Sequence, residues 1–331
     1  MKKMTFFRLR EEYNADDILL CFKKAEPALL CKDILCTGCG ACAKLCPHEA
    51  LVMKADEQGY LRPFLKEEKC VSCNKCLHVC PVKKGNARKT ENNPACYAVM
   101  ASDEIRNESS SGGIFTLLAE ECLNENGMVC GAAWNDSFGV EHVLIDDVKD
   151  LYKLRRSKYV QSDLKNVYCE IKEMLSKGRQ VLFSGCPCQV AGLYSYLGKD
   201  YDNLFTIDLV CAQAPAQSLF KKYLGENFDT DKIEKYEFRR KEYGWRPDIA
   251  CVTLVSGEKL FYTNEDSYQT AYHLRLMMPV HCEYCSFSGF PRQGDITIGD
   301  FWCIDNYDMT LDDKKGTSCV LLNSNKGYNL F

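Results

Sequence analysis

A chain of 331 residues is long for one domain and comfortable for two or three, and its 46% hydrophobic content supplies a core. A net charge of −4, a pI near 5.9 and the lack of a basic stripe exclude a nucleic-acid partner. No apolar run approaches the ~20 residues of a membrane helix, and Met1–Asp17 has basic residues but no signal-type hydrophobic centre, so no membrane span and no leader are predicted. In a secreted chain the 22 cysteines would mean disulfides, but eight of them stand in cluster spacing. Thiolate ligands and labile clusters point to the reducing cytoplasm of an anaerobe.

In residues 1–30, an N-terminal extension, Leu19, Leu20, Phe22, Leu29 and Leu30 suggest a short packing helix or strand broken at Pro27, with Cys21 and Cys31 as bystanders. A two-cluster ferredoxin domain is assigned to residues 31–85. Its runs CTGCGACAKLCP and CVSCNKCLHVCP each have the C-x₂-C-x₂-C-x₃-C-P spacing in which the fourth cysteine crosses to the other cluster. One 4Fe-4S cluster would take Cys36, Cys39, Cys42 and Cys80, the other Cys70, Cys73, Cys76 and Cys46. Thr37-Gly38 and Gly40-Ala41 let the backbone wrap a cube and aim N–H groups at its sulfurs. Cys₄ zinc sites show two C-x₂-C pairs across a longer spacer, so two near-identical proline-closed runs read as clusters. Between the runs, ALVMKADEQGYLRPFL predicts a hairpin around Asp56 to Gly59. Residues 86–93 are polar and patternless, a linker.

From Cys96 the pattern alternates strands and helices, which assigns residues 94–331 to a mixed α/β domain. CYAVMAS is a strand, and SSSGG opens a helix striped by Ile114, Phe115, Leu117, Leu118 and Cys122 that stops at Asn126-Gly127. GMVCGAAW and VEHVLID are strands, DVKDLYKLR and LKNVYCEIKEMLSKG helices. QVLFSG is a strand, CPCQVAGLYSYLG a turn and helix, FTIDLVC a strand and PAQSLFKKYLGENF a helix. Strands near 234–240, 249–255 and 260–263 suggest an antiparallel extension, followed by a helix near 267–277 and the strand DITIGDFW. No G-x-G-x-x-G occurs.

Three features here carry chemistry. Ser109 to Gly113 opens a helix where an anion could be held, an ordinary N-cap being the alternative. Cys186-Pro187-Cys188 and Cys211 stand at the ends of consecutive predicted strands, where α/β sheets place ligands. Cys282 and Cys285 form a further C-x₂-C, and together these thiols suffice for one more cubane.

In order, SSSGGIFTLLAE, RRSKYVQSDL, VLFSGCPCQVAGL, TIDLVC, FRRKEYGW, HCEYCSF and DITIGDFW resemble the family of coenzyme F420 hydrogenase/dehydrogenase β subunits, here behind a two-cluster ferredoxin. The resemblance covers nearly the whole chain from Cys36. It implies a mixed α/β fold in which a small 2[4Fe-4S] ferredoxin-like module precedes a flavin-binding domain with FAD and its own 4Fe-4S cluster. The third cluster's ligands would be Cys188, Cys211, Cys282 and Cys285. Ser110, Ser111, Gly112 and Gly113 with Ser157, Lys158 and Tyr159 would hold the flavin.

Where the family commonly has Thr before Pro-Cys this chain has Cys186, where it often has Cys-His-Gly it has Cys211-Ala212-Gln213, and after DFW the usual Gly is Cys303. Cys186 and Cys303 are therefore alternative ligands or buried thiols. Arg239, Arg240 and Lys241 beside Trp245 suit a phosphate tail and a ring, or a solvated strand end. The resemblance implies an oxidoreductase passing electrons between one-electron carriers, a ferredoxin-type or other redox protein, and a small-molecule hydride carrier such as coenzyme F420. The alternatives are an electron-transfer component of a larger redox complex and an accessory reductase of polysaccharide biosynthesis, neither with its own diffusible substrate.

Overall fold

The computed structural model describes residues 34–84, 88, 90–246 and 248–331. The expectations for residues 1–30, Cys21 and Cys31 lie outside them. The first module is built on the hairpin of β1 (Leu51–Ala55) and β2 (Leu61–Leu65), antiparallel from Leu51↔Leu65 to Ala55↔Leu61. Asp56 closes its turn by accepting from Gln58 N–H at 3.0 Å and Tyr60 N–H at 2.9 Å. A short helix follows each cysteine run, Ala41–Leu45 and Lys75–Val79. The two runs share one backbone shape. Gly38 and Gly40 have φ of 71° and 73°, and their counterparts Ser72 and Asn74 have 54° and 58°. Serine rarely adopts this left-handed region, so its presence marks a loop constrained by what it surrounds.

The larger region continues with β3 (Ala95–Val99), β4 (Met128–Trp134), β5 (Val140–Ile145), β6 (Val181–Gly185), β7 (Leu204–Leu209), β8 (Ile233–Arg240), β9 (Ile249–Leu254), β10 (Gly257–Tyr262), β11 (Ile296–Asp300) and β12 (Ser318–Leu322). Seven of these form a sheet in the order β3-β12-β11-β7-β6-β4-β5, and β8 to β10 form a separate antiparallel meander. The central β11, β7, β6 and β4 run parallel, and their Val181-Leu182-Phe183 and Leu204 to Ile207 segments are covered on both faces, as parallel strands require. The edges are antiparallel.

One face of the sheet takes the helix Ile114–Asn124, whose Ile114, Leu118 and Cys122 pack with Val129, Leu182, Ile207 and Ile296. The other takes the helices Val167–Ser176 and Pro187–Leu197 over Phe183 and Leu204. That second core does not end at the module boundary: Cys39, Ala41, Cys42, Leu51 and Val79 belong to it. The meander closes a third core with the helix Gln217–Asn227 and Tyr268.

Some segments depart from expectation. DVKDLYKLR is 3₁₀-helical over Val148–Lys153, because only Leu151 of those six residues is buried and no stripe exists to fix an α-helix. The helix expected to reach 277 is Ser267–His273, ended where Arg275 takes a φ of 60°. Short elements at Asp103–Asn107, Ser318–Leu322 and Asn325–Leu330 carry too few periodic residues to be legible. The polar linker is pinned. Arg88 pairs with buried Asp295 at 2.6 Å, donates to Gln293 O at 2.6 Å and lies over the Tyr194 ring at 4.1 Å. Thr90 and Glu91 add bonds to Arg292 O and Asn323 O.

Candidate functional site

The cysteines of the two runs gather in two groups. One cavity is lined by Cys36, Cys39, Cys42 and Cys80 with Gly40 and Pro63, the other by Cys46, Cys70, Cys73 and Cys76 with Leu51 and Leu65. Each group thus joins three cysteines of one run with the fourth of the other. Gly38 N–H and Ala50 N–H point at Cys36 Sγ and Cys46 Sγ, each at 3.4 Å. The groups differ in exposure: Cys39 and Cys42 are buried, whereas Glu67 to Lys75 are exposed throughout, Cys70 and Cys73 included. Burial pushes the Cys39 thiol up to about 12, with Cys36 and Cys80 adding, and raises Cys42 as well. Such thiols ionise only when a cation offsets the cost, as iron does in a cluster. Among the described residues no three Cys, His, Asp or Glu side chains converge on one point to hold a single metal ion.

A third group forms where the parallel strands end. β6 leads into the helix Pro187–Leu197, with Cys186 at its N-cap and Cys188 in its first turn. The turn is fixed by a chain of hydrogen bonds: Cys186 N–H donates to Gln189 Oε1 at 2.8 Å, Gln189 Nε2 to Ser162 Oγ at 3.1 Å, and Ser162 meets His142 Nδ1 at 2.6 Å. Cys211 follows β7, and Cys282 and Cys285 come from the short helix Val280–Glu283 and the turn after it. The fields of Cys285, Cys211 and Cys282 add to burial in raising the Cys188 thiol, so the four stand together. Cys186 is a fifth member. Its thiol stands beside that of Cys211, which with burial raises Cys186 and lowers Cys211, and Cys211 Sγ donates to Gln213 O at 3.9 Å. Cys303 caps the short Ile304–Asn306 helix and enters none of these contacts. Arg292, which sequence reasoning missed, lies beside Cys211 and Cys285 and is held by Asp208 Oδ1 at 3.3 Å and Leu209 O at 2.9 Å. It brings positive charge to a site that thiolates would make negative.

The two segments assigned to flavin meet each other. Ser157 N–H donates to Ser110 Oγ at 2.8 Å, joining the Ser-Gly run to the Ser157-Lys158-Tyr159 stretch. Gly113, with a φ of 89°, is the N-cap of its helix and no side chain caps it, so the hydroxyls do not act as an N-cap. Ser111 Oγ donates to Thr317 O at 3.0 Å instead. Gly112 N–H donates to Ser318 Oγ at 3.0 Å, and a Cβ there would collide with Val99 O and Ser318 N. Gly112 therefore serves close packing against β3 and β12.

Cations ring this turn. Lys158 Nζ donates to the carbonyls of Lys153, Arg155 and Arg156, and Lys241 Nζ to those of Arg106, Ser111 and Lys315. Among the described residues neither ammonium has a carboxylate partner within 4.0 Å. Burial pushes each down to about 7, and Arg239, Arg106 and Arg156 push Lys241 further in the same direction. Three carbonyls around each Nζ suit the three protons of the charged form. Arg239 is buried, paired with Asp248 and Asp300 at 3.0 Å each, and donates to Tyr159 OH at 3.1 Å. Arg240 points elsewhere, to Glu237, Glu242 and Glu258. Aromatic faces adjoin: Tyr159 stacks on Tyr272 at 4.3 Å, and Trp245 on Trp302 at 4.7 Å with 4° between planes. Arg106 and Tyr272 escape sequence reasoning because each reaches the site from a separate element, whereas Arg156 and Trp302 lie within RRSKYVQSDL and DITIGDFW without any periodic signal to single them out.

The arrangement offers three four-thiol groups and a cationic, aromatic-walled turn. Family models match in the same order: a 4Fe-4S dicluster domain over residues 35–84, then the N-terminal and C-terminal parts of the coenzyme F420 hydrogenase/dehydrogenase β subunit over 95–168 and 178–331. The chain belongs to that family. It is an iron–sulfur member, with a 4Fe-4S dicluster domain ahead of the β-subunit region. An uncharacterized protein of Methanocaldococcus jannaschii is 25% identical over 89% of this chain and 85% of its own length. One component of the F(420)H(2) dehydrogenase of Methanosarcina mazei is 27% identical over 47% of this chain and 46% of its own length. The coenzyme F420-dependent sulfite reductase of M. jannaschii is 25% identical over 68% of this chain, which spans 37% of that enzyme. Among solved structures, a chain of the F420-reducing [NiFe] hydrogenase complex from Methanosarcina barkeri is 18% identical over 71% of this chain and 77% of its own, with a TM-score of 0.49. No helix among the described residues is long and apolar enough to cross a membrane.

Proposed function

We propose that this chain is an oxidoreductase that relays electrons between a one-electron redox protein and a two-electron hydride acceptor of the coenzyme F420 class, through three 4Fe-4S clusters and FAD. The observation that carries the reading is the juxtaposition of a third thiol group, Cys188, Cys211, Cys282 and Cys285, with two ferredoxin-type groups in one fold. Bound clusters would supply single-electron steps, and a bound flavin would exchange them for electron pairs. The residues of the Ser110 turn fit the diphosphate of FAD by charge: Lys158 and Lys241 have no carboxylate partner among the described residues, so an anion there would favour their charged form, and Arg239 and Arg156 stand behind them. Tyr159 and Tyr272 are placed to exclude water on the side facing Cys186 and Cys211, whose fields reach Tyr272. Arg292 compensates charge at the third group, and Cys186 stands beside Cys211.

The family and the two partial matches to F420 enzymes support a deazaflavin as the hydride carrier. Anaerobic reconstitution with iron, sulfide and flavin quantified tests the reading. About twelve irons, four for each Cys₄-held cluster, and one FAD are expected. About eight irons, unchanged by Cys282→Ala, would remove the third cluster and with it the relay.

A further inference from the structure

A glycine in mid-helix is unfavourable relative to alanine, so one that persists there needs a reason in its surroundings. Gly192 lies within the helix Pro187–Leu197, where neither a turn nor a left-handed φ requires it. A Cβ at this position would come within 2.6 Å of Tyr168 OH, 2.8 Å of Cys39 Cβ and 3.0 Å of Cys39 Sγ. The missing side chain lets the first ferredoxin group lie directly on this helix. Cys188 stands four residues earlier, one helical turn away on the same face, and the field of Cys39 reaches its thiol. The contact is clamped from both sides. Gln161, itself buried, accepts from Leu61 N–H at 3.2 Å and donates to Thr37 O at 3.4 Å, and Tyr168 OH donates to Gln189 O at 2.7 Å on the helix itself.

We propose that Gly192 is the positioning residue of the junction between the modules, holding the Cys36, Cys39, Cys42 and Cys80 group against the third group and leaving the Cys46, Cys70, Cys73 and Cys76 group outermost. This rests on the relay reading above. One electron crosses the junction at a time, no atom moves, and two crossings match the two electrons of a hydride, whose proton comes from or goes to solvent. The one-electron protein is donor and the hydride carrier acceptor, or the reverse. The exposed rim from Cys70 to Cys73 is then where the one-electron protein meets the chain.

Spin–spin interaction in the fully reduced, reconstituted chain reads this order without turnover. Loss of the inner group through Cys42→Ala should abolish the interaction signature of the third cluster, and loss of the outer group through Cys73→Ala should leave it. The reverse pattern, or a signature lost equally in both, overturns the proposal. Gly192→Ala should keep about twelve irons and weaken the interaction. An unchanged signature with full iron sinks the positioning role. Should that variant fail to fold, Gly192→Ala with Tyr168→Phe relieves the tightest contact and keeps the one to Cys39, with the same expected outcome. A wild-type chain with about eight irons would instead sink the relay reading itself, so the two failures are told apart.

Discussion

The two ferredoxin groups and the third group each gather four thiols, by opposite routes. In the first module each loop supplies three thiols within seven residues, and the left-handed residues Gly38, Gly40, Ser72 and Asn74 bend the backbone locally around them. In the second region Cys188 and Cys285 are almost a hundred residues apart and meet only because β6 and β7 are parallel neighbours and the 280s fold over their ends. A local loop can form a site before the domain is complete, whereas a site spread across strand ends exists only once the sheet does. Exposure divides differently: Cys70 and Cys73 are open to solvent, Cys39 and Cys42 are buried, and Cys186, Cys188, Cys211, Cys282 and Cys285 are half-buried.

The sharpest way to break the contrast is to delete one thiol on each side. Cys73→Ala and Cys188→Ala should each lose about four of about twelve irons. Only Cys188→Ala should also lower the melting temperature of the larger region, because its group joins the ends of β6 and β7 to the 280s while Cys73 lies on the surface. Equal melting in the two variants would mean that the third group is not a structural part of the domain.

Next in size is Arg239. Arg239→Met leaves the half-buried carboxylates of Asp248 and Asp300 without the buried guanidinium, a loss of about 2–3 kcal/mol measured by urea unfolding, below the range of a fully buried pair. Arg239→Lys should recover only part, because one ammonium cannot reach both carboxylates and Tyr159 OH as the guanidinium fork does. Full recovery would reduce Arg239 to a point charge.

A smaller effect is expected at Cys186. If its S–H only donates to Cys211, Cys186→Ala keeps about twelve irons and makes the third cluster's potential more negative, since a donor to cluster sulfur favours the reduced state. Cys186→Ser should restore the wild-type potential. Loss of about four irons in Cys186→Ala would instead make Cys186 a ligand.

The smallest effect is in pH. The folded-state value of Lys241 is depressed from 10.5 to about 7, so between those values the unfolded chain binds more protons and stability rises with pH, the penalty being complete below about pH 7. Flavin-free wild type should therefore gain stability relative to Lys241→Met as pH rises from about 6 to about 9, read by thermal melting. Parallel curves would show that the three carbonyls offset the burial entirely.

What the sequence disclosed follows the same local and non-local division. Eight cysteines could be sorted into two crossing sets from spacing alone, because the spacing itself dictates the loops, and the structure gathers them in those sets. For the larger region the strands and helices were legible from apolar runs such as Val181 to Phe183, the thiols of Cys188 and Cys211 could be suspected from their places at strand ends, and those of Cys282 and Cys285 from their C-x₂-C spacing. Arg106, Arg156, Tyr272 and Arg292 were not legible. Each is an ordinary residue of its own segment, and only the sheet order β11-β7-β6-β4 with the closing meander brings Arg106 and Tyr272 to the Ser110 turn and Arg292 to the third thiol group. The close packing of Gly112 was not legible for a related reason: its neighbours Val99 and Ser318 come from β3 at the sheet edge and β12 beside it, and β12 gave no periodic pattern to read.

The Arg88 clasp changes how the chain between the modules is to be understood. With its guanidinium on Asp295 and over Tyr194, and with the cores of the two modules continuous through Cys39 and Leu51, the spacing of the redox groups is set when the chain folds. Shuttling designs depend on a swinging arm and slow down in viscous solvent. On the relay reading, a chain clasped in this way would act as a fixed circuit, with internal transfer indifferent to viscosity and the arrival of partners as its diffusive step.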